Sequence, residues 1–170
     1  VTSGNDAFVV KYNTSGTAQW YQTLAGTSGG AGSDIAVDSS GNVYVTGFYN
    51  STNPIPLGNG LTLPSSAGSD VFILKYDTSG TAQWYQRLNG TSTDIGRGIA
   101  VDSSGNVYIT GFYSSSTITL GNGINLPGTG GSVDVFIIKY DTSGAAQWYQ
   151  IINGVSSDYG NSIAVDSTGN

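Results

Sequence analysis

Short runs of β-branched and aromatic residues alternate with Gly-containing turns along the whole chain. In its central part, the runs at 70–77 and 82–88 are separated by TSGT, and those at 98–102 and 106–113 by SSG. Apolar runs of this length, joined by a turn with Gly, predict β-hairpins. No segment shows the 3.6-residue apolar spacing and the caps of an amphipathic helix. The pattern therefore predicts an all-β protein.

The pattern repeats every 64 residues without a change of spacing. The motif AQWYQ occurs three times, and its tryptophan is Trp20, Trp84 and Trp148. Self-similarity at such a period is typical of repeat proteins, and the chain holds about two and two-thirds units. We divide it into 1–42, a partial repeat with two outer strands and the inner strand of the next sheet, 43–106, a full repeat, and 107–170, a full period ending within a sheet. The four runs of one period, at 70–77, 82–88, 98–102 and 106–113 in the central part, are predicted to form one four-stranded antiparallel sheet.

Apolar residues fall on both faces of the predicted strands. In the run VFILKY, Phe72, Leu74 and Tyr76 point to one face, and Val71 and Ile73 point to the other. A sheet that is apolar on both faces has to be covered on both. We therefore expect sheets stacked face to face on copies of themselves, because one four-stranded sheet cannot bury two apolar faces alone.

A spacer separates the second hairpin of each unit from the next unit. It reads IPLGNGLTLP at 55–64 and ITLGNGINLP at 118–127. Asn-Gly suits the positive φ angles of a type I′ turn. The spacer is therefore predicted to be a small extra hairpin that protrudes from one face of the sheet.

These motifs carry a family resemblance. The strand DVFILKYD with its TSG turn, the strand AQWYQ, the hairpin GIAVDSSGNVYITG and the spacer ITLGNGINLP resemble SBBP-type β-propeller repeats, over nearly the whole chain. The resemblance implies propeller blades with GIAVD innermost and NVYITG, DVFILKY and AQWYQ successively further out. Propellers close with four to eight blades, more than this chain holds. The expected partners are therefore copies of the chain, or the remaining blades of a longer one, bound through unpaired strand edges.

The charge distribution narrows the range of partners. The chain has 5 Lys and Arg against 11 acidic residues, a net charge of −6, and its cations are scattered. Nucleic-acid binding and polybasic membrane attachment both need clustered cations, so we expect neither. No stretch is apolar and long enough for membrane insertion. With no Cys and no His, the chain lacks the residues for disulfides, thiol chemistry and histidine metal sites, and we expect no cofactor.

The three tryptophans and the acidic turns are the candidate sites. Each tryptophan is a candidate ligand platform, although burial between sheets is favoured because a ring removes so much apolar area from water. The turns of Asp38, Asp102 and Asp166 are calcium candidates, although Asp in such turns ordinarily caps its own backbone. Three further acids, Asp34, Asp94 and Asp158, depart from the repeat. The other acids recur in near-identical contexts, whereas a catalytic pair needs two different environments, so we expect no enzyme.

Three Asn-x-Ser/Thr sequons, at Asn13, Asn50 and Asn89, lie at or near predicted turns and are glycosylation candidates. We expect a non-catalytic structural or interaction module outside the cell or on its surface, serving as a scaffold, an adhesin, a self-assembling surface protein or a fibre subunit. The alternative is a lectin-like or adhesin-like propeller domain of a larger secreted protein that binds carbohydrate or another ligand. Its sites would lie between blades or at the GNG turns, 58–60 and 121–123.

Overall fold

The structure is a computed structural model that describes residues 5–25, 29–120, 123–166 and 168–170. The strands in these ranges are β1 (Ala7–Tyr12), β2 (Ala18–Leu24), β3 (Gly29–Val37), β4 (Val43–Asn50), β5 (Ile55–Gly58), β6 (Leu61–Leu63), β7 (Asp70–Tyr76), β8 (Ala82–Leu88), β9 (Asp94–Val101), β10 (Val107–Tyr113), β11 (Ile118–Thr119), β12 (Asn125–Leu126), β13 (Asp134–Tyr140) and β14 (Ala146–Ile152). Within the same ranges no helix forms, and accordingly none that is able to cross a membrane. The all-β prediction is confirmed.

Two four-stranded antiparallel sheets form the body of the structure. Sheet 1 has the strand order β3-β4-β7-β8, and sheet 2 has the order β9-β10-β13-β14. Strands β1 and β2 pair only with each other and form the N-terminal hairpin. The order in both sheets confirms the strand sequence that the family resemblance implied, from GIAVD to AQWYQ. In the described part of the chain the sheets do not close into a ring.

The prediction that one stretch of four consecutive strands, from β7 to β10, makes one sheet is wrong. Strand β7 pairs with β4, in the register Val43↔Tyr76, whereas β9 and β10 belong to the next sheet. The spacer at 51–69 thus connects β4 to β7 within sheet 1, and the link at 89–93 crosses from β8 to β9 of sheet 2. The division into 1–42, 43–106 and 107–170 describes the sequence repeat and stays a prediction as a division into domains.

The apolar residues on both faces of a sheet are buried, as predicted. Val71 and Ile73 lie in the core cluster that sheet 1 shares with sheet 2. Phe72, Leu74 and Tyr76 lie in a second cluster, shared with the N-terminal hairpin. The alternation along one strand therefore fills two different cores, which is the packing that face-to-face stacking requires.

The two spacer hairpins, β5-β6 and β11-β12, pack into the core instead of protruding. Ile55 and Leu63 of the first, like Ile118 and Leu126 of the second, are buried. Their apolar side chains are removed from water only when the hairpin lies against the outer strands, so burial overrides the predicted protrusion. The type I′ turn is supported in the first hairpin by positive φ values at its Asn and Gly, 52° and 74°. In the second hairpin, 121 and 122 lie outside the described residues.

The segment after β14 has no strand partner in the described ranges, yet it packs against sheet 2. The backbone N–H of Asp158 donates to the oxygen of Val133 at 2.8 Å, as the N–H of Asp94 does to Ser69 at 2.7 Å. The ring of Tyr159 meets Phe112 edge to face at 4.9 Å. Residues 158–166 thus hold the place of a further inner strand, beside β9.

Candidate functional site

Neighbouring sheets are joined by a tryptophan that lies on a turn. The indole Nε1–H of Trp20 donates to the backbone oxygen of Thr78 at 3.0 Å. One repeat later, Nε1–H of Trp84 donates to the backbone oxygen of Thr142 at 3.1 Å. In both cases the donor lies on an outermost strand and the acceptor on the next sheet, 58 residues along the chain. We call this the tryptophan–turn contact.

A glutamine two residues after each tryptophan adds a second bond to the same turn. Nε2–H of Gln22 donates to the oxygen of Gly80 at 2.8 Å, and Nε2–H of Gln86 donates to the oxygen of Gly144 at 2.8 Å. Residues two apart in a strand point to the same face, so the motif WYQ presents both donors together. Each turn is therefore held at two backbone oxygens.

The glycine of the turn makes room for the indole ring. Gly80 and Gly144 have φ values of 82° and 84°, and an added Cβ at these positions would lie 2.6 Å and 2.9 Å from atoms of Trp20 and Trp84. Both the positive φ and the close approach exclude a larger side chain. The TSG sequence is thus a docking surface for the ring as well as a turn.

An aspartate at the start of the turn holds its shape. Oδ1 of Asp77 accepts hydrogen bonds from the backbone N–H groups of Ser79 and Thr81, at 2.9 Å and 3.0 Å. Hydrogen bonds from Ser79 and Thr81 keep the pKa of Asp77 below its usual value. Asn13 takes this position in the N-terminal hairpin, and its Oδ1 accepts from the N–H groups of Ser15 and Thr17.

In each four-stranded sheet, the tryptophan belongs to a row of three residues that are neighbours across adjacent strands. In sheet 1, Lys75 lies between Tyr44 and Trp84, with its Nζ 5.2 Å from the centre of the tyrosine ring. In sheet 2, Lys139 lies in the same way between Tyr108 and Trp148, at 5.0 Å. The lysine stems thus lie beside aromatic rings, where the cation is also attracted to the ring face.

On the outward face of sheet 2, the tryptophan of the tryptophan–turn contact, Trp148, has no turn to bind in the described residues. Trp148 is 41% exposed, and its indole N–H makes no hydrogen bond within the ranges described. Ile152 is 56% exposed, although Leu88, at the same position of the preceding repeat, is fully buried. The outward face of sheet 2 is thus a core surface without its covering layer.

In the N-terminal hairpin, the turn of the tryptophan–turn contact has no tryptophan above it in the described residues. Phe8 is 71% and Tyr12 is 61% exposed, whereas Phe72 and Tyr76, one repeat later, are buried. Above Gly16 nothing lies within 4 Å of an added Cβ, in contrast to the two glycines covered by tryptophan. The N-terminal hairpin therefore offers an uncovered turn and an uncovered apolar face. Contiguous apolar surface of this kind marks interaction sites.

The calcium candidates act as acceptors for their own turns. Oδ1 of Asp38 accepts from the N–H groups of Ser40 and Asn42, and its Oδ2 accepts from Asn42 Nδ2 and Tyr44 Oη. Burial raises the pKa of Asp38, but these hydrogen bonds outweigh burial and lower it overall. Asp102 has the same partners one repeat later, and Asp166 accepts from the N–H groups of Thr168 and Asn170.

This geometry favours turn capping, because oxygens that already accept N–H and O–H donors have few lone pairs left for a cation. In the part of the chain that the structure describes, no group of three or more acidic side chains is placed to hold a metal ion. The calcium site stays a prediction without a supporting contact.

The prediction that Asp34, Asp94 and Asp158 all break the repeat is wrong for two of them, because Asp94 and Asp158 lie 64 residues apart and make equivalent backbone bonds. Oδ2 of Asp34 accepts the backbone N–H of Ile99 at 2.9 Å and so joins the inner strands of the two sheets. Asp94 is buried and accepts from Ser115 Oγ at 2.7 Å, while Asp158 lies near Gly154.

The sequons differ in exposure. Asn13 is exposed in its turn, Asn89 is exposed and forms a bridge with Thr119, and Asn50 is half-buried at the end of β4. Glycosylation at these positions stays a prediction. At the first GNG turn, Nδ2 of Asn59 donates to the oxygen of Ala82, so this side chain is used within the fold.

Comparison with known proteins agrees with the repeat. The model of the SBBP family, described as a beta-propeller repeat, matches residues 20–53 and 83–111. The chain therefore carries two SBBP beta-propeller repeats, and from here we call its sheets blades: sheet 1 is blade 1 and sheet 2 is blade 2.

Two curated proteins are similar over most of the chain. An uncharacterized WD repeat-containing protein, L264, of Acanthamoeba polyphaga mimivirus is 29% identical over 192 residues, covering 95% of this chain and 14% of that protein. The regulatory protein FlaEY of Caulobacter vibrioides is 28% identical over 149 residues, covering 84% and 15% respectively. The chain thus spans about one-seventh of the length of these relatives.

Sequence reasoning found the tryptophans but not the turn beneath them. Burial between sheets is the favoured interpretation, and Trp20 and Trp84 are half-buried: each packs against a core cluster and donates to the turn of the next blade. The available signal was the joint recurrence of WYQ and TSG at one fixed separation, which is what a contact between consecutive repeats would produce.

Proposed function

We propose that the chain is a non-catalytic structural and interaction module, a propeller-repeat scaffold whose uncovered faces bind copies of itself or the remaining blades of a longer chain. The observation that carries this proposal is the exposure, at both ends of the stack, of residues whose repeat equivalents are buried. Phe8 and Ile152 are more than half exposed, while Phe72 and Leu88 are buried. Surfaces shaped for a covering layer favour association, because covering them removes apolar area from water.

The use of the polar residues also supports a structural role. The repeated aspartates accept hydrogen bonds from their own turns, and Asp34 links two blades through a backbone N–H. Catalysis would need a nucleophile, a base and an orienting group in one place. Here the acidic side chains are engaged in holding turns and blades, which favours a scaffold.

We further propose that this scaffold works outside the cell, as a surface protein, an adhesin or a fibre subunit. The support is compositional. Only 9% of the residues are charged, and the chain lacks Cys and Met, the side chains most open to oxidation. Localisation by immunogold labelling of intact source cells tests this part: surface labelling supports it, and labelling confined to the cell interior contradicts it.

The native mass, measured by light scattering over a range of concentrations, tests the association. A mass that rises above the 17.5 kDa of one chain supports the proposal. A constant mass of one chain up to millimolar concentration contradicts the binding of copies and favours the remaining blades of a longer chain as the covering layer. Large open-ended particles would identify a fibre, and a discrete multiple would identify a closed assembly.

Carbohydrate binding is the second candidate. The exposed ring of Trp148 favours it, because an open aromatic face is able to stack on a sugar. A glycan array with the whole chain tests this function, with Trp148→Ala as the comparison. Binding that the substitution abolishes would support a lectin-like role, and an array without binding would contradict it.

A further inference from the structure

We infer that the cavity between the turn edges of blades 1 and 2 binds a single neutral sugar ring. This inference rests on the carbohydrate-binding candidate of the proposed function and gives it a site other than Trp148. The cavity measures about 230 Å³. One water needs only about 10 to 15 Å³, and sites for larger ligands usually hold about 300 Å³ or more. The size of the cavity therefore fits one ring better than an extended chain of sugars.

Both walls of the cavity belong to four-stranded blades. Blade 1 contributes the turn at 38–42 and Lys75 of β7, and blade 2 contributes the turn at 103–105 and Thr142. The tryptophan–turn contact between Trp84 and Thr142 joins the same two blades. Because repeats stack on their immediate neighbours, a further blade would pack on the outward face of either sheet and leave this space open. The cavity is therefore a property of two adjacent blades, whatever the number of blades in the array.

Lys75 brings an ammonium group that has no acceptor. Its side chain is half-buried, and its Nζ lies 5.2 Å from the centre of the Tyr44 ring. Within the described residues, this Nζ makes no hydrogen bond and no ion pair. An ammonium group has three N–H donors and accepts none. Lys75 is therefore able to donate to the hydroxyl oxygens of a bound sugar.

Serine hydroxyls line both walls of the cavity. Ser39, Ser40 and Ser104 are exposed, and their Oγ atoms make no hydrogen bond in the part of the chain that the structure describes. The backbone N–H groups of Ser40 and Ser104 donate to the aspartates of their own turns, which fixes the position of these residues. A hydroxyl both donates and accepts, so such a lining matches a ligand that is itself rich in hydroxyls.

The charges of the lining favour a neutral ligand over an anion. Asp38 lines the cavity together with Lys75, so their formal charges cancel. The carboxylate of Asp38 already accepts four hydrogen bonds, from its own turn and from Tyr44, and so has little to offer an ammonium group. The whole chain has a net charge of −6, which repels anions. A neutral sugar therefore fits better than an amino acid or a simple carboxylate.

An NMR titration of the whole chain tests this site. The probes are the methyl glycosides of glucose, mannose, galactose and N-acetylglucosamine. At least one of them is expected to shift the backbone amide signals of Ser40 and Ser104, one in each wall, with half-saturation at about 1 mM. Glycine and sodium acetate should shift neither signal. If no sugar shifts both signals at up to about 50 mM, or if glycine or acetate shifts them as strongly, the inference is overturned.

Two matched lysine variants test the ammonium group. Lys75→Met removes the charge and keeps an unbranched stem, and it should weaken binding at Ser40 at least about 10-fold, because hydrogen bonds from charged groups are strong. Lys139→Met is the control. Lys139 has the same contact with Tyr108, at 5.0 Å, but the described residues place no turn like that of Thr142 beside it. This variant should bind as the unmodified chain does, and equal binding by both variants would overturn the inference.

A third variant keeps the test decisive if Lys75→Met does not fold. Ser104→Ala removes one hydroxyl and leaves the backbone bond of its turn, and it should bind the sugar about 3-fold more weakly. Sugar binding that Trp148→Ala abolishes, and that neither Lys75→Met nor Ser104→Ala weakens, overturns this site and keeps the carbohydrate candidate. If no sugar binds anywhere on the chain, the site and the carbohydrate candidate are both overturned, while the scaffold is tested separately by the native mass.

Discussion

Trp84 Nε1 donates a hydrogen bond to the backbone oxygen of Thr142, 3.1 Å away and in the neighbouring blade. The two residues are 58 positions apart, slightly less than one repeat, as are Trp20 and Thr78. Each repeat therefore supplies one donor to the next unit and one acceptor to the unit before it. A contact of this kind stabilises stacking without an additional domain.

Substitution of Trp84, the half-buried donor of this contact, should destabilise the fold. Trp84→Phe removes the indole N–H and part of the ring, and leaves the oxygen of Thr142 without this donor. We expect the free energy of unfolding to fall by about 1 to 2 kcal/mol. Urea denaturation in dilute solution measures it. Trp148→Phe is the matched control and should change stability by less than about 0.5 kcal/mol, because that side chain is exposed. Equal losses in the two variants would show that the inter-blade bond adds nothing.

A close backbone approach should make Gly111 intolerant of any side chain. A Cβ on this residue would collide with the backbone oxygen of Ile95 in the paired strand and lie 2.8 Å from the ring of Phe136. Gly111→Ala should therefore lower the free energy of unfolding by about 3 kcal/mol or prevent folding. Thermal denaturation measures this loss. Gly29→Ala is the control: nothing lies within 4 Å of its added Cβ, so its free energy of unfolding should not change. If Gly111→Ala leaves the free energy of unfolding unchanged, the close approach of the paired strands β9 and β10 at this residue is contradicted.

Burial of Asp70 should make stability depend on pH. The carboxyl is buried, and desolvation raises its pKa from 3.8 to about 6; Gly90 N–H and Arg87 act against this shift, while Asp94 adds to it. The folded chain thus takes up a proton more readily than the unfolded chain. Stability from this group is fully present below about pH 4 and is lost as the pH rises through 6, by at most about 3 kcal/mol.

Denaturation midpoints at pH 4.5 to 7.5 test this dependence. Asp70→Asn should reduce the loss of stability across that range, while Asp94, whose pKa burial also raises, leaves a residual slope. Asp141→Asn is the control. Hydrogen bonds from Ser143 and Ala145 lower the pKa of Asp141, so its contribution is present above about pH 4 and disappears only in more acid solution. An unchanged slope in Asp70→Asn would contradict the assignment.

The hydroxyl of Tyr140 should be dispensable. It is buried, and no hydrogen-bond partner lies within reach of it in the described residues. Burial without a partner disfavours a polar group, so Tyr140→Phe should leave stability unchanged or raise it by about 1 kcal/mol. Tyr113→Phe is the counterpart, since Tyr113 Oη donates to the oxygen of Pro127 at 2.9 Å, and it should lose about 1 kcal/mol. Calorimetry distinguishes the two, and a clear loss in Tyr140→Phe would reveal an unseen partner.

Patterns within one strand or turn could be predicted from the sequence. The alternation from Val71 to Tyr76 correctly assigned residues to two faces, and the Asn-Gly dipeptide correctly indicated a turn with two positive φ angles. Such features depend on neighbours close in sequence, whose geometry is the same wherever the segment lies.

Contacts between blades could not be predicted in this way. The bond from Ile99 N–H to Asp34 and the ring of Trp20 on Gly80 depend on how one sheet lies on the next. The spacer hairpin was misplaced for a related reason. Its turn chemistry determines a hairpin, but only the outer strands of the folded protein determine whether Ile55 and Leu63 are buried.

The most direct test of the central claim, that an indole hydrogen bond joins neighbouring blades, is the hydrogen exchange of the three indole N–H groups, followed by NMR in dilute solution. The Trp20 and Trp84 signals should exchange slowly, because each N–H donates to a backbone oxygen of the next blade. The Trp148 signal should exchange quickly, because this side chain is 41% exposed and its N–H makes no hydrogen bond within the described residues. If the Trp20 and Trp84 signals exchange as quickly as the Trp148 signal, the turns of the next blade do not hold these indoles, and the account is contradicted.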